Sequence, residues 1–266
     1  MQKMLSYMRK AIENYNMINE GDKIAVGLSG GKDSITLLMG LKALQRFYPK
    51  KFEVVAISVN PGFEFFNSEF LKSVCDKIGV EFIEEKSYIK EIVFDIRKEK
   101  NPCSLCANLR RGILNSSAIA HGCNKIALGH HFDDVIETTL LSMVYGGEIK
   151  SMMPKLHSDN FEKMELIRPL YLVREKDIKS WAKYNNLVFL NCACRFTEKN
   201  TLEHNDNSKR LEIKKLIEDL SKNGDFIPYN IFRSTENVNL DTMRGYKTNG
   251  KRHEFLEDYD DKYKNR

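Results

Sequence analysis

The chain has 266 residues, of which 42% are hydrophobic and 30% charged, and its formal net charge is +5. This composition is typical of a soluble globular protein, and no apolar run reaches the roughly 18–20 residues of a membrane-spanning helix. The mild positive charge is compatible with a nucleic-acid partner but does not indicate one by itself. The first ten residues lack the apolar core of a secretory signal, so we expect a cytoplasmic protein whose cysteines stay reduced.

The start of the chain alternates between helical and strand patterns. Apolar residues at helical spacing predict a helix within residues 1–22, before a turn at Gly21-Asp22. Residues 23–28 form a short apolar run that is typical of a buried strand, and residues 35–44 predict a buried helix. The segment between them is therefore a turn from a strand into a helix.

This turn has the sequence Ser29-Gly30-Gly31-Lys32-Asp33-Ser34, and we call it the anion loop. The first N–H groups of a helix lack intrahelical partners and carry partial positive charge, so a Gly-rich turn before a helix forms an anion site. The glycines let the backbone approach a phosphate, the lysine adds a charge, and the serines can donate hydrogen bonds. The spacing fits neither a Walker A loop nor a Rossmann G-x-G-x-x-G motif. A helix cap without any ligand is the alternative.

The later patterns continue the alternation of strands and helices. We predict strands at residues 52–60, 80–83, 125–129 and 166–170, and helices at residues 68–79, 103–121, 132–145, 174–185 and 206–222. Residues 148–166 are expected to form an irregular, mobile loop, and the strand that follows is expected to be edge-like because it contains a proline. These crossover lengths predict an α/β fold with a doubly wound parallel sheet of about five strands and flanking helices.

The same patterns divide the chain into four parts. We predict an N-terminal helix at residues 1–22, a main domain at 23–222, a C-terminal segment at 223–240, and a charged, disordered tail at 241–266. Ligands of open parallel sheets bind at the carboxyl ends of the strands. Ser58, at the end of the second predicted strand, is therefore a candidate contact for an adenine or a ribose.

The six cysteines include two close pairs, Cys103/Cys106 and Cys192/Cys194. A C-x-x-C at a helix start lets two thiolates face one metal, and a second pair could complete the site after folding. The residues alone allow a structural zinc site, an iron–sulfur cluster, a redox disulfide or unrelated buried thiols. The remaining cysteines lie in apolar patterns and are expected to be packing residues: Cys75 and Cys123.

Two further groups of charged residues are candidates for function. Asp133 and Asp134 follow a strand and open a helix, where they could hold a magnesium ion that bridges ATP phosphates, or could cap the helix. The preceding His130 and His131 could contact phosphate, donate to a leaving group or merely pack. Arg110 and Arg111 lie near the first cysteine pair and could contact RNA phosphates, although a solvated helix face is the commoner role of such a cluster.

A set of motifs occurs in order along the chain: the anion loop, Cys103-Ser104-Leu105-Cys106, Leu109-Arg110-Arg111-Gly112, Ala127-Leu128-Gly129-His130-His131-Phe132-Asp133-Asp134, Tyr145-Gly146-Gly147, Met153-Pro154-Lys155-Leu156, Ile167-Arg168-Pro169-Leu170 and Arg174-Glu175-Lys176-Asp177-Ile178. Together they closely resemble the tRNA 2-thiocytidine synthetase family, the tRNA-cytidine sulfurtransferases of the PP-loop ATP pyrophosphatase superfamily. The resemblance spans residues 10–240 or so, and it implies an adenine nucleotide alpha hydrolase-like fold.

The resemblance also implies a reaction. ATP with Mg²⁺ would bind at the anion loop, Ser58, Gly129 and Asp134, and would adenylate O2 of a cytidine in the anticodon loop of a tRNA. Adenylation turns a poor leaving group into a good one, so sulfur can then replace the oxygen while AMP leaves. Lys32, Asp33 and Asp134 are implied to be catalytic, together with the cysteines that hold the cluster.

In the family that this chain resembles, three cysteines hold a 4Fe-4S cluster whose fourth iron carries sulfur from a cysteine desulfurase. Cys103 and Cys106 match the first two ligands. The family usually has a second C-x-x-C, whereas this chain has the shorter Cys192-Ala193-Cys194, so we predict Cys192 as the third ligand and Cys194 as its reserve. Arg110 and Arg111 are the predicted tRNA contacts, and a homodimer is expected by analogy alone.

Other functions stay open at this point. The short spacing of the second cysteine pair leaves room for a PP-loop enzyme that thiolates another base or substrate. An adenylating ligase of the same superfamily would leave the cysteine pairs unexplained. A zinc-stabilised nucleotide-binding regulator without turnover is the alternative from a different class.

Overall fold

The computed structural model describes residues 2–97, 102–190, 205–257 and 259. The strands are β1 (Asp22–Gly27), β2 (Phe52–Asn60), β3 (Glu81–Lys86), β4 (Lys125–Ala127), β5 (Lys155–His157), β6 (Glu165–Ile167), β7 (Gly245–Thr248) and β8 (Lys251–Glu254). The α-helices are α1 (Gln2–Asn14), α2 (Lys32–Leu44), α3 (Ser68–Ile78), α4 (Pro102–Ala120), α5 (Phe132–Gly146), α6 (Glu175–Tyr184), α7 (Asn205–Ser221) and α8 (Ile227–Ser234). A π-helical segment at Glu91–Ile96 and a 3₁₀ turn at Leu240–Thr242 complete the described elements.

Six strands form the main sheet in the order β3-β2-β1-β4-β6-β5. All neighbouring pairs are parallel except β5 with β6. The chain order reverses at β1, between β2 and β4, which is the point where open parallel sheets bind ligands outside the carboxyl ends of their strands. The predicted α/β fold with a mostly parallel sheet is confirmed.

Both faces of the sheet are covered, because successive residues of one strand belong to different parts of the core. Ile24 and Val26 of β1 pack in the larger apolar cluster, which includes residues of α1, α2, α5 and α6. Ala25, between them, packs in a smaller cluster with Leu114 and Ala118 of α4. Strand side chains alternate between the two faces, so this partition requires helices on both sides.

The segment at 148–166 differs from the expected irregular loop. It contains β5, which pairs antiparallel with β6 and forms the edge of the sheet. The predicted strand at 166–170 is therefore not an edge strand, and it ends at Ile167, before Pro169. A strand of three residues shows too little alternation of apolar and polar residues to be recognised from sequence. The sequence prediction missed β5 for this reason.

Residues 245–254 also differ from the sequence expectation, which placed them in a disordered tail. They form a hairpin of β7 and β8, in which the rings of Tyr246 and His253 stack with centroids 4.9 Å apart. The turn residues Asn249 and Gly250 both have positive φ, at 48° and 75°. Asn-Gly is the preferred pair for such a two-residue turn, so this signal was present in the sequence and was outweighed there by the high charge.

No helix in the part of the chain that the structure describes is long and apolar enough to cross a membrane.

A buried charge cluster lies at the end of the sheet opposite the anion loop. Asp22, Lys125 and Glu165 begin the neighbouring parallel strands β1, β4 and β6. The Lys125 side chain is 2% exposed, binds Glu165, and lies 3.4 Å from Asp22 Oδ2. Asn124 donates a hydrogen bond of 2.7 Å to Asp22, and Lys155 lies 3.0 Å from Glu165. The cluster therefore joins three strand starts through one lysine.

Replacing Lys125 by methionine should lower the free energy of unfolding by about 3–5 kcal/mol, because it leaves the buried Asp22 without a cation and Glu165 with Lys155 alone. Urea unfolding measures this change. Lys23→Met is the matched control, since Lys23 lies 4.0 Å from the exposed Glu53 and should contribute less than about 1 kcal/mol. Equal effects of the two substitutions would contradict the role of the buried cluster.

Candidate active site

The anion loop turns directly from β1 into α2 and leaves the helix start uncapped. Gly30 has φ +84°, a conformation that side chains rarely allow, and the extended Gly31 precedes the helix without a side-chain cap. Ser34 braces the loop, because its Oγ accepts a hydrogen bond from Ser29 N (3.2 Å) and donates one to Gly31 O (3.0 Å). The first N–H groups of α2 are thus free of side-chain caps, as an anion site requires.

Gly129, the second residue after β4, touches the start of α2. A Cβ atom on Gly129 would lie 2.9 Å from the carbonyl carbon of Asp33 and 3.1 Å from the nitrogen of Ser34. Both are backbone atoms, so they cannot move aside without moving α2. The predicted site residue Gly129 therefore acts through its lack of a side chain, which lets the end of β4 approach the anion loop.

The lysine of the loop is held by two carboxylates. Lys32 Nζ lies 2.9 Å from Asp33 Oδ2 and 3.1 Å from Glu175 Oε1 at the start of α6. Burial opposes the positive charge of Lys32, but its hydrogen bonds to Asp33 and Glu175 outweigh this effect and raise its pKa. The second oxygen of Asp33, Oδ1, is buried without a hydrogen-bond partner in the described chain, and His131 Nε2 lies 3.8 Å from it.

Glu175 in turn connects Lys32 to two other helices. Its Oε2 lies 3.1 Å from Lys179 of α6 and 2.9 Å from Lys214 of α7. Burial favours the neutral form of Glu175, but the hydrogen bonds from Lys214, Lys179 and Lys32 outweigh it and lower its pKa to about 2. Glu175 has no role that its local sequence predicts, although it lies within the motif at 174–178.

A cavity of about 500 Å³ opens beside the anion loop, at the carboxyl ends of β1, β2 and β4. Ser58 of β2 is fully buried, and its Oγ has no hydrogen-bond partner within the described residues. The other side chains and backbone that line the cavity come from the anion loop, β2, α4 and the segment after β4: Gly27, Leu28, Ser29, Gly31, Ile57, Val59, Phe66, Ala107, Arg110, Arg111, Leu114, Leu128, His130 and Leu190. The mixed apolar and polar lining has the chemistry of a nucleotide pocket.

Arg110 and Arg111 form part of this cavity wall. The two predicted RNA contacts line the same cavity as Ser29 and Gly31, with Arg110 partly buried and Arg111 exposed. Arg110 Nε is buried and lacks a hydrogen-bond partner in the described chain. Their contact with RNA stays a prediction, and the geometry also allows them to meet a phosphate inside the cavity.

Asp133 and Asp134 have structural partners. Asp134 and His131 form a capping box at the start of α5, in which Asp134 Oδ2 accepts from His131 N at 2.9 Å. Its other oxygen accepts from Arg210 at 2.8 Å. Asp133 binds Arg174 and accepts from Glu175 N at 2.6 Å, which caps α6. Both residues cap helices in this structure, and each of their carboxylate oxygens already accepts a hydrogen bond. The predicted role of Asp134 in magnesium binding stays a prediction.

The first cysteine pair lies in the first turns of α4, the helix that lines part of the cavity. Cys103 is exposed and Cys106 is partly buried, while Cys75 and Cys123 are buried as expected of packing residues. Cys103 and Cys106 each precede a cavity residue, Ala107 or Arg110, by one helical turn, which places the pair on the cavity side of α4.

The second cysteine pair, Cys192 and Cys194, lies outside the described residues. Within the described ranges no cluster of three or more histidine, cysteine or acidic residues could hold a metal ion. The donor set that the structure describes, two thiols at a helix start, fits two ligands of a cysteine-held cluster.

Comparison with known proteins defines the class first. Residues 2–201 match the model of the PP-loop domain, so the chain belongs to the PP-loop family. Its mostly parallel sheet agrees with a solved structure, the U34-tRNA thiolase NcsA from Methanococcus maripaludis with its [4Fe-4S] cluster. That likeness has a TM-score of 0.67 and 25% sequence identity, and it covers 87% of this chain and 76% of that one.

Within this class the relatives are more specific. The chain is 35% identical to a tRNA-cytidine(32) 2-sulfurtransferase of Geobacter metallireducens, over 89% of this chain and 90% of the relative. It is 39% identical to a protein of the same name from Coxiella burnetii, again over 89% and 90%. The chain therefore belongs to the tRNA-cytidine 2-sulfurtransferase family of PP-loop enzymes, as its motifs predict.

Gly129→Ala should lower the free energy of unfolding by about 1–3 kcal/mol and weaken ATP binding, because the new methyl group pushes the start of α2 away from β4. Urea unfolding and calorimetric ATP titration measure the two effects. Gly112→Ala is the control, since a Cβ there meets nothing within 4 Å. It lies inside α4 and should stabilise the fold by about 0.5–1 kcal/mol. A Gly129 variant that behaves like the Gly112 variant would refute the close-contact argument.

Glu175→Gln should remove a pH-dependent part of the stability. The folded-state pKa of Glu175 lies below its ordinary value, so its contribution is fully present above about pH 4.5 and is lost as the pH falls toward 2. Its full size is roughly 2–3 kcal/mol. Urea unfolding between pH 6 and pH 3 should show the difference between parent and variant shrinking below pH 4.5. The exposed Glu53→Gln is the control, and a Glu175 difference that stayed constant over this range would contradict the assignment.

Proposed function

We propose that this protein is an ATP-dependent tRNA thiolase that replaces O2 of a cytidine in a tRNA anticodon loop with sulfur, which gives 2-thiocytidine. One observation carries the proposal: the uncapped anion loop and the helix that begins with Cys103 and Cys106 border the same cavity. An ATP site and a sulfur-handling site must be adjacent if the adenylated base is to meet sulfur before water. The names of the relatives, tRNA-cytidine(32) 2-sulfurtransferases, support the choice of base.

In the first stage ATP would activate the base. Its phosphates fit the start of α2 and Lys32, and its adenine or ribose fits the cavity beside the buried, unpartnered Ser58 Oγ. Attack of the cytidine O2 on the α-phosphate would release pyrophosphate and leave an adenylate on the base. Asp33, whose Oδ1 is buried and without a hydrogen-bond partner in the described chain, would help to hold magnesium, as would Asp134 with the Arg210 contact displaced; the ion would supply positive charge for the phosphates.

In the second stage sulfur at the oxidation level of sulfide would attack C2 of the adenylated cytidine, and AMP would leave with the original oxygen. Sulfur delivered as a persulfide would first take up two electrons from a thiol reductant, which would be oxidised to a disulfide. Cys103 and Cys106, with Cys192 as third ligand and Cys194 in reserve, would hold a 4Fe-4S cluster. When bound, such a cluster supplies an iron without a protein ligand, where a sulfur atom from a cysteine desulfurase can bind. This chain contributes the helix start that favours ionised thiols, and it contributes the arginines beside the cavity.

The tRNA and the protein partners follow from the same chemistry. Arg110 and Arg111 would neutralise phosphates of the nucleotide or of the anticodon loop near the cavity mouth. A cytoplasmic location belongs to the proposal, since tRNA and a cysteine desulfurase are both soluble partners. A homodimer belongs to it by analogy alone.

Two single substitutions should separate the stages. Cys103→Ala should abolish 2-thiocytidine and bound iron while ATP binding persists, because Cys103 lies on α4 and the phosphates bind at α2. Lys32→Ala should abolish pyrophosphate release and 2-thiocytidine while iron persists. Cys123→Ala, the control for loss of a buried cysteine, should keep both. Mass spectrometry of tRNA nucleosides from complemented deletion cells, with anaerobic iron and sulfide analysis, measures these outcomes.

Contrary results would point to the other functions. Unchanged 2-thiocytidine in the Cys103 variant would exclude a role of this cysteine in sulfur transfer. Zinc without iron or sulfide, together with ATP binding that releases no pyrophosphate, would favour the nucleotide-binding regulator. A different thionucleoside that depends on Cys103 would indicate another base as the substrate.

A further inference from the structure

A histidine–arginine pair at the cavity has no role in the reaction described so far. His130 follows β4 and lines the cavity, and Arg168 follows β6, the neighbouring strand. Arg168 Nε donates a hydrogen bond of 3.3 Å to His130 Nδ1. Arg168 is 8% exposed and also donates to the backbone carbonyl of Met153. The segments after β4 and β6 thus hold the imidazole ring of His130 through its Nδ1 atom.

This hydrogen bond fixes the tautomer of His130. A guanidinium has donors and no acceptor, so the Nδ1 atom that faces it must be the acceptor. A neutral imidazole has one proton, which must then lie on Nε2. Among the described residues Nε2 of His130 has no hydrogen-bond partner, so its N–H is available to a ligand in the cavity.

The surroundings keep this ring neutral. Burial, the largest cause, and the positive charges of Arg168 and Arg210 together lower the pKa of His130 to about 4, although the carboxylate of Asp134 opposes them. The ring is therefore an uncharged donor near pH 7, and its proton stays on the nitrogen that does not face Arg168.

The place of His130 indicates what it binds. The preceding Gly129 touches the backbone at the start of α2, where an anion would sit. Arg110 and Arg111 line the same cavity and make it favourable for negative charge. A phosphate oxygen is the acceptor that this arrangement suits, and a neutral N–H adds a directed hydrogen bond to the charge that the arginines and the lysine provide.

We propose that His130 binds a phosphate oxygen of the nucleotide through Nε2–H, and that Arg168 is the positioning residue that fixes this tautomer and ring orientation. The inference rests on the proposed function in one respect, namely that the cavity binds ATP. It assigns His130 and Arg168 to the nucleotide stage of the reaction and leaves the sulfur stage unaffected.

The affinity for α,β-methylene-ATP, which cannot be cleaved between its α and β phosphates, tests the donor role without tRNA or turnover. His130→Phe keeps a planar ring but removes the donor, and should weaken binding roughly 10- to 100-fold. His130→Gln can present an amide N–H near the position of Nε2, and should stay within about 5-fold of the parent protein. Equal losses in both variants, or no loss in either, would overturn the donor role. Urea unfolding of each variant shows whether it folds.

A double-mutant cycle tests the positioning role of Arg168. Arg168→Met in the parent protein should weaken binding roughly 3-fold or more, because the imidazole loses the partner that fixes its proton and orientation. In the His130→Phe protein the same change should have little effect, since a phenyl ring has no nitrogen or proton for Arg168 to orient. Arg168→Lys, which keeps a donor, should restore most of the affinity. Equal losses in both backgrounds would mean that Arg168 acts through the fold alone.

The outcomes are separable from those of the proposed function. If the parent protein does not bind the nucleotide analogue, both the ATP site and the donor role of His130 are wrong. If the binding pattern holds while cells show no dependence of 2-thiocytidine on this protein, the donor role stands and the assigned substrate fails.

Discussion

The site depends on one close contact, between the backbone after β4 and the backbone at the first turn of α2. Gly129 leaves no room for even a methyl group against Asp33 and Ser34. Because of this contact, the two residues that directly follow Gly129 lie near the anion loop: His130 lines the cavity and His131 caps α5. A parallel sheet supplies this geometry, since β1 and β4 are neighbours whose carboxyl ends lie at the same edge.

The acidic residues of the site mostly hold basic residues and helix starts in place. Asp133 binds Arg174 and caps α6, Asp134 caps α5, and Glu175 joins Lys32 to α7 through Lys214. Such partly buried charges are costly unless they are paired, and here each pair also fixes the position of a backbone element. Lys32 is therefore held at the anion loop by the same network that joins α2, α6 and α7, and a phosphate would meet a preorganised cation.

Local patterns were sufficient for most elements and for the anion loop, and insufficient where contacts between distant segments decide the outcome. The turn at residues 29–34 has its strand before it and its helix after it, so its chemistry could be recognised from one stretch of sequence. The antiparallel β5 depends on pairing with β6, and Glu175 depends on a partner 143 positions away, Lys32, that no local pattern reveals. Arg110 and Arg111 were predicted to contact RNA from their charge and their position near the first cysteine pair; that they line the cavity depends on how α4 packs, which no local pattern reveals.

By itself the sequence determined the alternating α/β fold, the anion loop and the membership of a PP-loop sulfurtransferase family, because each of these rests on short segments whose residue types and order carry the information. Only the tertiary structure showed that the acidic pair caps two helices, how the loop lysine is held, and that Arg168 donates a hydrogen bond to His130 Nδ1. Those outcomes depend on hydrogen bonds between strand ends and helix starts that are far apart in the chain, and such bonds exist only after the sheet has assembled.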